Sequence, residues 1–220
     1  MNVSVKYIYE NFINELSPIF EQYGLEFNKP SNSFIKKFEQ GRQYFNIDKM
    51  SGGIEVGLHV KIVNSIVKEI VQKVINIKHS AHMSSLWWDS HWYFKNYEKE
   101  RFFIIEPKEI DFGKKNVIEL LKNFALPAFE KYSSIEGIDS LVNNDSEYPL
   151  LTNKSHSTNI TLIIYTGLIT AKLLNRPDYK EIEQRNLSNL DRFDIEEKDA
   201  CMARFNAIDF DKYRKQSNLG

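Results

Sequence analysis

Cysteine is nearly absent: the 220 residues contain one, Cys201. An intramolecular disulfide and a cysteine-built zinc site are thereby excluded, which fits a reducing compartment, and the expected location is cytoplasmic. Charge of one sign is missing as well. The 29 Lys and Arg and the 30 Asp and Glu are mixed along the chain and leave a formal charge of −1, so no bulk field attracts nucleic acid or anionic lipid. The basic doublets Lys36-Lys37 and Lys114-Lys115 are too short for a nucleic-acid stripe. No long hydrophobic run occurs. The most apolar segment, residues 160–174, is interrupted by Thr161, Thr166, Thr170 and Lys172 and falls short of the ~20 residues a bilayer needs. The first residues, Met1-Asn2-Val3-Ser4-Val5-Lys6, lack the basic start and apolar stretch of a signal peptide. Also missing are a phosphate loop, Gly-x-Ser-x-Gly, a dinucleotide fingerprint and His-Glu-x-x-His.

What is present is a globular composition, 42% hydrophobic and 27% charged, long enough to bury a substantial core. The clearest periodic signal lies in residues 33–62. From Ile54 through Val56, Leu58, Val60 and Ile62 every even position is aliphatic, whereas Glu55, Gly57, His59 and Lys61 alternate with them, the signature of a half-buried strand. Ser51-Gly52-Gly53 separates this run from residues 42–50, and Gln40-Gly41 separates that one from residues 33–39, which predicts a three-stranded antiparallel meander.

Ahead of it, Ile8, Phe12, Leu16, Ile19, Phe20 and Tyr23 recur at helical spacing, with Gly24 placed to end the helix in a left-handed conformation. Pro18 predicts either a kink or a second short helix capped by Ser17. Residues 25–28 read as a short strand, 64–76 as a helix, 101–106 as a further strand stopped at Pro107, 114–132 as a helix disturbed at Pro127, and 134–142 as a short helix capped by Ser133 or Ser134. Past residues 143–159, rich in Asn, Ser, Asp and Thr, the pattern is helical only: 158–174, nearly apolar all round, a helix opened by Pro177 and running through Arg185, and 195–215. The predicted fold is α+β, an antiparallel sheet of about four strands with helices packed on one face, followed by a helical C-terminal extension. The expected division is 1–142 and 143–220.

For chemistry, the segment Leu86-Trp87-Trp88-Asp89-Ser90-His91-Trp92-Tyr93-Phe94 stands out, with His79 and His82 just before it. Two histidines three apart share one side of a helix, and Asp89 and His91 add an oxygen and a nitrogen, a donor set for a metal-dependent hydrolase or nuclease. That set matches no established ligand pattern, and the expectation is no metal and no cofactor. Trp87, Trp88, Trp92 and Tyr93 serve either as core or as a contact surface for a protein partner. His59 reads as a solvent-facing strand residue or as an acid/base partner of Glu55, Asp48 or Glu39. Cys201, beside Ala200, Met202 and Ala203, reads as a packed thiol.

The opening helix with its proline and terminal glycine (Leu16-Ser17-Pro18-Ile19 to Tyr23-Gly24-Leu25), the segment Asn32-Ser33-Phe34-Ile35-Lys36, the alternating strands, the Trp87-Trp88 pair and Leu126-Pro127-Ala128-Phe129-Glu130-Lys131-Tyr132 together resemble a family of small bacterial α+β domains of unknown function. The resemblance covers roughly residues 1–142 and carries no catalytic residue. Similar domains occur beside polymorphic toxins as presumed immunity proteins. It implies a protein-binding module of immunity or accessory type, with a toxin or host protein as partner and without catalytic activity. A small-ligand-binding protein is the remaining expectation.

Overall fold

The computed structural model describes residues 4–50, 53–76, 86–89, 102–104, 106–143, 157–192 and 197–217. The chain forms two compact units interleaved in sequence, one of residues 1–62 and 87–130, the other of residues 63–86 and 131–220.

The first unit is built on a six-stranded sheet. Strands β1 (Glu26–Asn28), β2 (Ser33–Phe38), β3 (Gly41–Met50), β4 (Gly53–Asn64) and β5 (Leu86–Asp89) are ordered as they occur in the chain, and β6 (Phe102–Ile104) also pairs with β4. The pairs β1–β2, β2–β3 and β4–β6 are antiparallel, with Phe34 opposite Phe45 and Ile54 opposite Ile104. Helix α1 (Val5–Glu21) packs Phe20 against these side chains, stacked on Phe34 at 4.0 Å and edge-on to Phe45 at 5.0 Å. Its core-facing stripe, Ile8, Phe12, Ile13, Leu16 and Phe20, is buried because those positions recur on one side of a 3.6-residue period.

Pro18 does not divide α1. The helix runs through it, the proline supplying no amide to the i−4 carbonyl, and one residue earlier the Ser17 hydroxyl donates to the Ile13 carbonyl at 2.8 Å. Gly24 adopts φ +74°, which lets the Leu25 N–H reach back to the Phe20 carbonyl and close the helix. Helix α3 (Ile110–Leu120) lies on the same face of the sheet. A Cβ on its Gly113 would stand 2.2 Å from Ile104 Cδ1 and 3.3 Å from Phe12 Cε2, so glycine there permits the close approach. After α3 the backbone widens to π geometry over Leu121–Ala125, with the Leu126 N–H bonded to the Leu121 carbonyl, before α4 (Leu126–Tyr132). Pro127, unable to donate to an i−4 carbonyl, sits at the restart. The helix begins at Ile110 rather than near Lys114, since Pro107 opens a 3-10 turn that leads directly into it.

The second unit is helical. Asn64 caps α2 (Ser65–Ile75), its side chain accepting from the Ile66 and Val67 amides. Helix α5 (Ile135–Asn143) follows, with the Ser134 hydroxyl accepting from Gly137 N–H at 3.0 Å, and then α6 (Ser157–Leu173), α7 (Tyr179–Arg192), α8 (Lys198–Asn206) and α9 (Phe210–Gln216). Helix α6 is buried along most of its length and contacts α2, α5, α7 and α9, as its apolar circumference requires. Two boundaries differ from the sequence reading. Pro177 lies in the turn before α7, which starts at Tyr179 and extends to Arg192, and the expected single helix over 195–215 is two, parted at Ala207–Asp209 where Asp209 caps α9 through the Lys212 amide.

Candidate functional site

The densest polar constellation among the described residues lies inside the helical unit. Helix α5 carries Asp139 and Asn143 one turn apart, at positions that continue its apolar stripe of Ile135, Ile138 and Val142. Two residues past the end of α6, Asn175 adopts a φ of 49°, which lets the Arg176 N–H return to the Ala171 carbonyl. Arg176 then binds two carboxylates. Its Nε and Nη2 donate to the Asp178 oxygens at 2.8 and 2.6 Å, and its Nη1 donates to Asp139 Oδ2 at 2.7 Å. The other Asp139 oxygen accepts from Asn143 Nδ2 at 2.7 Å and from the Thr170 hydroxyl at 3.0 Å.

Asn143 Nδ2 also donates to the Gly167 carbonyl at 3.1 Å, and Arg185 Nη2 donates to the Asn143 carbonyl at 2.9 Å at the C-terminal end of α5, where a cation is favoured. Gly167 makes room for this: a Cβ there would come within 2.8 Å of Asn143 Oδ1. Thr166 Oγ1 and Asn186 Nδ2, on α6 and α7, are buried without a hydrogen-bond partner among the described residues. The Asp178 carboxylate holds the Arg176 guanidinium further above its ordinary value, with Asp139 adding to it, and Arg176 in turn holds the Asp178 carboxyl below the usual range. Asp139, buried and receiving three donors, is an acceptor fixed in place.

A second group belongs to the sheet unit. Tyr9 of α1, Asp48 of β3 and Lys61 of β4 interact electrostatically: burial, then the Asp48 charge, pushes the Tyr9 phenol up to about 12, and burial lowers the Lys61 ammonium against an opposing pull from Asp48. A third joins α9 to α2. The Tyr213 hydroxyl donates to Glu69 Oε1 at 2.7 Å, and Lys73 binds both Glu69, at 2.8 Å, and the Tyr213 oxygen. Cys201 is buried, with Arg204 Nη2 3.2 Å from its Sγ, which agrees with a packed thiol.

Of the residues singled out in the sequence, His79, His82, His91, Trp92 and Tyr93 lie outside the described residues. The backbone of Trp87, Trp88 and Asp89 forms β5, and their side chains lie outside the description, as do those of Glu55 and His59 on β4. Asp48 is half-buried near Tyr9 and Lys61, and Glu39 is exposed in the turn after β2. Among the described residues no three His, Cys, Asp or Glu side chains are placed to hold a metal ion, and no helix is long and apolar enough to cross a membrane. The Asp139 network was not anticipated. Its signal was Asp139 and Asn143 standing at core-facing positions of an otherwise apolar helical stripe. Compared with protein-family models, curated proteins and solved structures, the chain matches none.

Proposed function

We propose that this chain is a protein-binding module of immunity or accessory type that acts by occupying a partner. The observation that carries the reading is the pair Tyr7 and Phe112, the exposed large hydrophobic side chains among the described residues, 54% and 53% accessible. They stand on α1 and α3, two helices that contact each other through the Lys114–Glu15 ion pair and the close approach of Gly113 to Phe12. Large aromatics are the residues that most often anchor protein interfaces, because they bury much apolar area at little rotamer cost. On the same two helices Lys6 pairs with Glu10 and Lys114 with Asp111. The resemblance to small domains found beside toxins supports the same class.

The test is affinity capture of the tagged protein from its own cells, followed by direct binding to any protein recovered in stoichiometric amount. A Tyr7→Ala/Phe112→Ala variant is expected to bind that partner at least about tenfold more weakly, the loss typical of removing interface anchors. If wild type recovers no stoichiometric protein, or the double variant binds equally well, the proposal fails.

A further inference from the structure

Helix α9 is attached differently from its neighbours. It has seven residues, below the ~12–15 at which an isolated helix begins to persist in water, so it is helical only while docked. Two buried rings anchor it: Phe210, 5.2 Å from Phe205, and Tyr213. Ser217 at its C-terminal cap is also buried, its hydroxyl bonding back to the Tyr213 carbonyl of the same segment, and the remaining ties are polar and partly solvated. Glu69 and Lys73, which hold the Tyr213 hydroxyl, are each about half exposed, at 54% and 51%. Arg214 reaches the Lys172 carbonyl at 3.0 Å and the Asn175 side chain at the end of α6, in an exposed setting. Solvent and salt screen such contacts, whereas α5, α6 and the turn into α7 are joined by the buried Asp139 network.

We propose that α9 is a strap that undocks and redocks as one unit while the helices beneath it stay folded. The Glu69–Lys73–Tyr213 cluster is its latch. When open, the strap uncovers the part of α6 it packs against, and any molecule reaching that surface must displace it. Because the helix cannot persist undocked, its amide protection reports the latch directly.

Hydrogen exchange on the full-length protein under native conditions tests this. Amides of residues 212–217 are expected to exchange at least about tenfold faster than those of residues 165–171, as a separately opening segment does. Tyr213→Phe, which keeps the ring and removes the hydroxyl, is expected to speed strap exchange about fivefold and leave α6 unchanged. The proposal is overturned if strap and α6 share one exchange rate and one denaturant dependence, or if Tyr213→Phe loosens α6 as much as the strap.

Discussion

Asp139 Oδ2 lies 2.7 Å from Arg176 Nη1, an ion pair that joins α5 to the turn between α6 and α7, with the carboxylate side chain only 6% exposed. Removing Arg176 leaves the buried Asp139 carboxylate with neutral donors alone, whereas removing Asp139 leaves Arg176 paired with Asp178. Arg176→Ala should lower unfolding stability by about 3–5 kcal/mol, the range for a buried pair that loses one partner. Arg176→Ala should then cost much less in the Asp139→Ala background than in wild type. Urea midpoints for the four proteins of the cycle measure this, and additive losses would show that the two side chains are not coupled.

Helical Gly→Ala changes ordinarily stabilise by about 1 kcal/mol, and two glycines here should reverse that sign. A Cβ on Gly137 would meet the Lys131 carbonyl oxygen at 2.1 Å and Tyr132 Cα at 2.9 Å, so backbone must move, and a loss of about 1–3 kcal/mol is expected. At Gly167 the obstacle is Asn143 Oδ1 at 2.8 Å, a side-chain atom that yields by giving up the bonds of its amide to Asp139 and Gly167, at about 1 kcal/mol each, which outweighs the helical gain. Thermal midpoints should therefore fall in the order wild type, Gly167→Ala, Gly137→Ala. A rise for Gly137→Ala would contradict the packing of α5 on the end of α4.

Alkaline pH should weaken the sheet unit through Tyr9. Its folded value, about 12, lies above the ordinary phenol value of 10.0, so between these the unfolded chain loses a proton that the folded one keeps. Stability then falls as pH rises through that window. Lys61 acts in the opposite sense. Its value is lowered by burial, so between the folded value and the ordinary 10.5 the unfolded chain holds a proton the folded one lacks, and stability rises with pH there. Tyr9→Phe should flatten the alkaline loss and remove one late phase from the tyrosinate absorbance titration. An unchanged profile would place Tyr9 in a wetter setting than its burial indicates.

Tyr7→Ala and Phe112→Ala should each leave the denaturation midpoint nearly unchanged, within the ~0.5 kcal/mol usual for exposed positions. Chemical denaturation checks this alongside the binding assay. A loss of several kcal/mol would mean that these rings serve the fold.

Much of this architecture was legible because it rests on local rules. The period of two from Ile54 to Ile62 is β4, the 3.6-residue stripe from Ile8 to Phe20 is α1, and Gly24 has the left-handed turn its position called for. An alternating or helical pattern states which face of an element is buried, and the chain carries that information residue by residue. Nothing local announced that α1 continues through Pro18; the packing of Phe20 on Phe34 and Phe45 holds the part of the helix beyond the proline against the sheet. Nor could sequence pair Asp139 with Arg176, 37 positions apart. The sequence by itself determined most of the elements, the buried faces of α1 and α2, and the absence of a cysteine framework. The tertiary structure alone decided which polar residues meet, because a buried charge finds its partner through the packing of separate helices, and that packing depends on distances no local pattern encodes.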